Sequence, residues 1–161
     1  MNEFEPFEGG CDCRLIRFRC LAPPLIVHGC HCRWCQRESG SAFAINAMLE
    51  SEHLVLVQGE PEAVLTPSES GKGQTIMRCP VCRLALWSHY PGGGKKVASI
   101  RVGTLDQPDQ YPPDVHIYTS SKQPWVVLPE GASVWNEFYA FDQVWSPESL
   151  QRLAQLRAKK A

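Results

Sequence analysis

At 161 residues, 43% hydrophobic and 20% charged, the chain has the composition of a globular protein with enough length to bury one core. Its formal net charge of −1 supplies neither the basic field that a nucleic-acid partner needs nor a polybasic membrane patch, and no apolar run approaches a membrane span. Met1 to Gly10 is acidic and broken by Pro6, unlike a signal peptide, so a reducing, cytoplasmic setting is expected.

Residues 11–20 alternate, with Leu15, Arg17 and Arg19 on one parity and Ile16, Phe18 and Cys20 on the other, which predicts a half-buried strand. Cys11 and Cys13, two apart, then point to one side and can grip one ion, while Cys20 turns inward with Ile16 and Phe18 as a small hydrophobe. Pro23-Pro24 ends this strand. Leu25-Ile26-Val27 starts another that runs into Cys30-His31-Cys32-Arg33-Trp34-Cys35. Gln36 to Ser41 is polar and predicts a turn or short helical cap; residues 42–49 fit a buried strand, with a short helix as the alternative.

Leu54 to Val57 predicts a strand closed by Gly59, and residues 66–73 predict a turn or exposed loop tip. Thr75-Ile76-Met77 leads into Cys79-Pro80-Val81-Cys82, in form a zinc knuckle, and Ala85-Leu86-Trp87 leaves it as a strand. Pro91 to Gly94 predicts a hairpin or flexible loop, and Val97 to Val102 a strand. Pro108 to Pro113 is proline-rich, Val115 to Thr119 alternates again, and Trp125 to Leu128 is apolar. Ser146 as N-cap, Pro147 at the first helical position and Leu150, Leu153 and Leu156 predict an amphipathic helix over about 147–159. Arg157, Lys159 and Lys160 in its last turn suit the helix dipole. Thirteen prolines and twelve glycines elsewhere favour short strands, so the expected fold is mainly β, one domain over residues 1–161.

Seven of the cysteines fall into metal-ligand spacings. Cys11 with Cys13 and Cys79 with Cys82 make two close pairs from distant parts of the chain, and one zinc clamped between them has four thiolates and no open position, a structural site. Cys30, Cys32 and Cys35 leave one tetrahedral position for water, substrate or a fourth protein ligand, for which His28, His89 and His116 remain eligible; an open position is what a catalytic zinc requires. A disulfide framework fits less well, because pairs this close bridge only with strain and nothing marks the chain for export.

The stretches Gly9-Gly10-Cys11-Asp12-Cys13, Cys30-His31-Cys32-Arg33-Trp34-Cys35 continuing to Phe43, Cys79-Pro80-Val81-Cys82, Asp114 to Tyr118 and Ser120 to Trp125 together resemble the glutathione-dependent formaldehyde-activating enzyme family, which includes the centromere protein V domain. The resemblance covers about residues 9–128. It implies an Mss4-like fold, small antiparallel sheets around a structural zinc, and two zinc ions per chain: a structural one on Cys11, Cys13, Cys79 and Cys82 and a catalytic one on Cys30, Cys32 and Cys35. It leaves Cys20 without a role. The family usually has glycine after the second knuckle, where this chain has Arg83, an exchange compatible with a backbone that does not need positive φ.

The resemblance further implies a carbon–sulfur lyase type of activity, joining glutathione to formaldehyde as S-hydroxymethylglutathione. Arg33, Arg37 and Lys122 are then candidates for the glutathione carboxylates. The alternative is a non-catalytic, zinc-stabilised protein-binding module, with Trp125, Trp135 and Trp145 marking its interface.

Overall fold

A computed structural model describes residues 4–159. Its strands are β1 (Phe7–Gly10), β2 (Arg17–Cys20), β3 (Ile26–Cys30), β4 (Ala44–Glu50), β5 (Leu54–Gln58), β6 (Glu62–Thr66), β7 (Gln74–Arg78), β8 (Ala85–His89), β9 (Val97–Arg101), β10 (Val115–Ile117) and β11 (Ser133–Val134). Its helices are α1 (Arg33–Ser39) and α2 (Pro147–Ala158). The strands form a three-stranded antiparallel sheet, β1-β2-β5, and an eight-stranded sheet, β11-β10-β3-β4-β9-β8-β7-β6. The larger sheet is antiparallel except where β10 pairs parallel with β3 and with β11.

Register sorts the side chains of the large sheet into two sets, because directly paired residues point to the same face. Cys30 pairs Ala44, His28 pairs Asn46, and Asn46 pairs Arg101. On the other parity, Val27 pairs Ala47, which pairs Ile100, which pairs Trp87. The second face packs on Ile16, Phe18 and Cys20 of the small sheet and its approach. The first face, which also carries Val115 and Ile117, is covered by Tyr139, Trp145 and Leu153 from the C-terminal segment. Central strands with both faces covered read as apolar runs, which is why β3, β4 and β9 show little polar alternation.

The strand expected over residues 11–20 is only Arg17–Cys20; Cys11 to Leu15 form a turn instead. The amide of Cys11 donates to the Ile16 carbonyl (3.1 Å) and that of Arg14 to the Cys11 carbonyl (3.0 Å), with Arg14 at φ +61°. The inward parity of Ile16, Phe18 and Cys20 holds, all three fully buried. The polar stretch after the cysteine triplet is the body of α1, which closes at Gly40 in the left-handed region. Residues 115–117 are buried at every position, since β10 lies inside the sheet rather than at a wet edge. Trp145 is a core residue and Trp135 is half-buried against Tyr139, so of the three tryptophans proposed as an interface only Trp125 is exposed.

Helix α2 is built as its sequence indicates. Ser146 Oγ accepts from the Ser149 amide (3.1 Å), Pro147 opens the first turn, and Leu153 and Leu156 are buried. Lys159 pairs with Glu52 at the surface; Lys160 and residues 1–3 lie outside the described residues. Two polar contacts fix the helix on the sheet. Ser149 Oγ donates to the Leu25 carbonyl (2.7 Å), and Arg152 makes a two-pronged pair with the buried Glu50 on β4 (2.8 and 2.6 Å). Arg152→Ala strands a buried carboxylate. It is expected to cost about 3–5 kcal/mol in urea-monitored unfolding, well beyond what an exposed ion pair contributes.

Beneath α2, Trp145 Nε1 donates to Tyr139 Oη (2.9 Å), and Tyr139 Oη in turn contacts His28 Nε2. Burial drives the His28 pKa down to about 4. Histidine in the unfolded chain titrates near 6.5, so between about pH 6.5 and 4 the unfolded state binds more protons and stability falls as pH drops. The expected loss from this side chain is up to about 3 kcal/mol across that window. In pH-dependent denaturation curves, His28→Gln should flatten the slope there.

Candidate metal centres

Both knuckles are tight turns of the same construction. In the first, the Cys11 amide reaches Ile16; in the second, the Cys79 amide donates to the Leu84 carbonyl (3.0 Å) and the Arg83 amide to that of Cys79 (3.0 Å). Each turn passes through one arginine in the left-handed region, Arg14 at φ +61° and Arg83 at φ +64°. The backbone after the second knuckle therefore does need positive φ, contrary to the condition under which arginine was expected to be tolerated, and the side chain carries a strain of about 1–2 kcal/mol.

The turns bring the sulfurs of Cys11, Cys13, Cys79 and Cys82 within 4.8 Å of one another, with Cys11–Cys13 and Cys13–Cys79 both at 3.5 Å. A tetrahedron of sulfurs at zinc–sulfur bond length has edges of roughly 3.8 Å, so the set fits such an ion. Cys11 and Cys79 are buried in the core shared by the two sheets, whereas Cys13 and Cys82 are exposed. Burial raises the Cys79 pKa, but the Cys82 and Val81 amides and the neighbouring thiols outweigh it and bring it to about 6. Cys13 rises to about 11: the Leu15 amide lowers it, but the surrounding thiols prevail.

The second set sits at a strand-to-helix junction. Cys30 ends β3, Cys32 caps α1 and accepts from the Cys35 amide (3.3 Å), and Cys35 lies in the first helical turn. The three sulfurs lie within 4.8 Å of one another and all three residues are buried. Among the described residues no further His, Cys, Asp or Glu joins this group. Cys32 is its anionic pole, brought to about 3 by hydrogen bonds from the Cys30 and Cys35 thiols and by the Cys35 and Trp34 amides. Cys30 is driven well above the ordinary thiol value by hydrogen bonding with Cys32 and Cys35. Cys35 rises to about 12: hydrogen bonding with Cys30 lowers it, but hydrogen bonding with Cys32, burial and then the Cys32 charge prevail, and Arg101 partly offsets the rise.

His31 does not face the triplet. Its Nε2 lies 3.0 Å from His116 Nδ1, with Phe43 against the ring, and His116 pairs with Gly29 on the opposite face from Cys30. A Cβ on Gly29 would come within 2.7 Å of His116 Nδ1, so glycine is what lets the two approach. His28 and His89 are engaged elsewhere, with Tyr139 and with the Val97 carbonyl (2.8 Å).

Of the proposed carboxylate receptors, Arg33 is exposed and donates to Gln36 Oε1 (3.0 Å), Arg37 is exposed, and Lys122 Nζ donates to the carbonyls of Gln123 (3.1 Å) and Val126 (2.7 Å). Sequence reading missed four residues near the triplet. Gln36 bridges α1 to the 119–123 segment, donating to the carbonyls of His31 (2.6 Å) and Ser121 (2.9 Å). Tyr90, Tyr118 and Arg101 are coupled electrically to the triplet: both phenols are raised, first by burial and then by the thiolates, and Arg101 acts on Cys35. Strand pairing joins Arg101 to this face, and no short-range pattern could have shown it.

The model of the family described as glutathione-dependent formaldehyde-activating enzyme matches residues 6–121. A curated Halomonas elongata protein, provisionally named a glutathione-dependent formaldehyde-activating enzyme, is 29% identical over 126 residues, 75% of this chain and 80% of that one. A solved Rhodobacter sphaeroides protein superposes with a TM-score of 0.46 at 16% identity, over 80% of this chain and 98% of the other.

Because the Arg83 side chain makes only an exposed pair with Glu62, little opposes relief of its backbone strain. Arg83→Gly is expected to raise unfolding stability by roughly 0.5 kcal/mol or more, measured by thermal denaturation of the zinc-loaded protein.

Proposed function

The chain belongs to the glutathione-dependent formaldehyde-activating enzyme family, and from that premise we propose that it joins a small thiol, glutathione in the first instance, to formaldehyde at Cys30, Cys32 and Cys35. The observation that carries this is the contrast between the two thiol sets: one has four sulfurs and is closed, the other has three and gains no further His, Cys, Asp or Glu from the described residues. In this proposal Cys11, Cys13, Cys79 and Cys82 hold a structural zinc, and the triplet holds a second whose fourth position accepts substrate. When bound there, zinc stabilises the thiolate form of an incoming thiol.

The substrate sulfur adds to the carbonyl carbon of formaldehyde, the π pair moves to the oxygen, and the proton given up by the thiol ends on that oxygen. The product is the S-hydroxymethyl adduct, a carbon–sulfur lyase reaction run in reverse. Tyr90 and Tyr118, both half-buried and both held protonated at neutral pH, are the O–H donors able to meet the developing alkoxide. Tyr90 also lines a cleft of about 150 Å³ with Lys72 and Lys95. These two lysines are added to Arg33, Arg37 and Lys122 as candidate receptors for substrate carboxylates.

A second reading, a zinc-stabilised binding module without catalysis, draws on the exposed Trp125 and Val127. Exchange spectroscopy by NMR on glutathione and formaldehyde separates the two. Protein of determined zinc content should accelerate exchange over the spontaneous rate, and Cys32→Ser should abolish the acceleration. No acceleration by protein carrying two zincs would reject the enzyme reading for this substrate pair.

A further inference from the structure

Arg17, Arg78 and Arg152 are partly buried, and each pairs with a carboxylate, of Asp106, Glu38 and Glu50 respectively. Arg101, at the end of β9, is also partly buried, yet among the described residues its guanidinium hydrogen-bonds only to neutral groups, Asn46 Oδ1 and Ser88 Oγ (3.3 Å). A desolvated cation without an anionic partner is costly. The sheet register shows where the balancing charge lies. Arg101, Asn46, Ala44 and Cys30 share one face across β9, β4 and β3: Arg101 sits beside Asn46 and Cys30 beside Ala44, two residues along the same strand.

We propose that Arg101 is the built-in counter-charge of the Cys30–Cys32–Cys35 centre, a positioning residue that offsets the net negative charge of three thiolates around a divalent ion. The inference deepens the functional reading above and rests on it in one respect: a fourth, exogenous thiolate adds another negative charge to a buried site, and the same guanidinium makes that addition tolerable. Asn46 and Ser88 fix the guanidinium without competing for its charge, as a carboxylate would. An arginine in this role recognises no particular thiol; it favours thiolates as a class over neutral ligands.

The test uses zinc-loaded full-length protein titrated with a chromophoric chelator, the phase lost in Cys32→Ser being assigned to the triplet. In Arg101→Gln, the metal affinity of the triplet should weaken roughly tenfold or more while the four-thiol phase is unmoved, and Arg101→Lys should restore most of the loss. With cobalt in place of zinc, charge-transfer absorption reports thiol binding. Glutathione and the uncharged 2-mercaptoethanol should both bind roughly tenfold or more weakly in Arg101→Gln. Unchanged metal affinity of the triplet would overturn the proposal. So would failure of Arg101→Lys to rescue, which marks a structural role, or a loss confined to glutathione, which marks a carboxylate receptor. If the wild-type protein bound no thiol while the metal shift persisted, the functional reading would fail and the counter-charge would stand.

Discussion

Strand alternation across β3, β4 and β9 sets the organisation of the molecule. Pairing of Cys30 with Ala44 and of Asn46 with Arg101 directs the triplet and its neighbouring cation to one face; pairing of Val27 with Ala47 and Ile100 directs the main apolar core to the other. A slip of one residue of β3 against β4 would turn Cys30 toward the small sheet and part it from Arg101, which stays with Asn46 on the other face. The two thiol sets are divided between the cores in the same way. Cys11 and Cys79 belong to the core shared by the two sheets, and Cys30, Cys32 and Cys35 to the core under the C-terminal segment.

Both sets show the same electrical arrangement. One sulfur is held as the anionic pole by amides and adjacent thiols, Cys79 at about 6 and Cys32 at about 3, while neighbours such as Cys13 and Cys35 are pushed up to about 11 and 12. Closely packed thiols cannot all ionise without a cation among them. The sets differ in their access to water. Cys13 and Cys82 are exposed, so solvent screens the first, whereas all three residues of the second are buried and depend on charges supplied by the protein.

Much of this was legible in the sequence because it is local. The cysteine spacings foretold both groupings of sulfurs, the inward parity of Cys20 followed from its distance to Ile16 and Phe18, and the Ser146-Pro147 start with its leucine spacing located α2 to within a residue of its end. The misses have a common cause in long-range or backbone constraints. The alternation of 15–20 was extended back across Cys11 to Cys13, where hydrogen bonds make a turn. Helix α1 is short and polar, and its cap is Cys32, a residue read only as a ligand. The aromatic character of Trp145 suggested a surface, but a helix folded back over the sheet enclosed it. Arg101 became conspicuous only once β9 was seen beside β4.

The lid over the triplet also imposes an order on synthesis. The residues that close the first thiol set are all present once Cys82 has been made, and β9 follows soon after. The buried setting of Cys30, Cys32 and Cys35, however, depends on Tyr139, Trp145 and Leu153, the last with α2 held by Ser149 and Arg152. A chain emerging from the ribosome therefore displays three adjacent thiols to solvent until α2 has been made and docks. That interval is when the nascent protein is most open to acquiring its ion, and also when stray oxidants and competing soft metals have their best access to it.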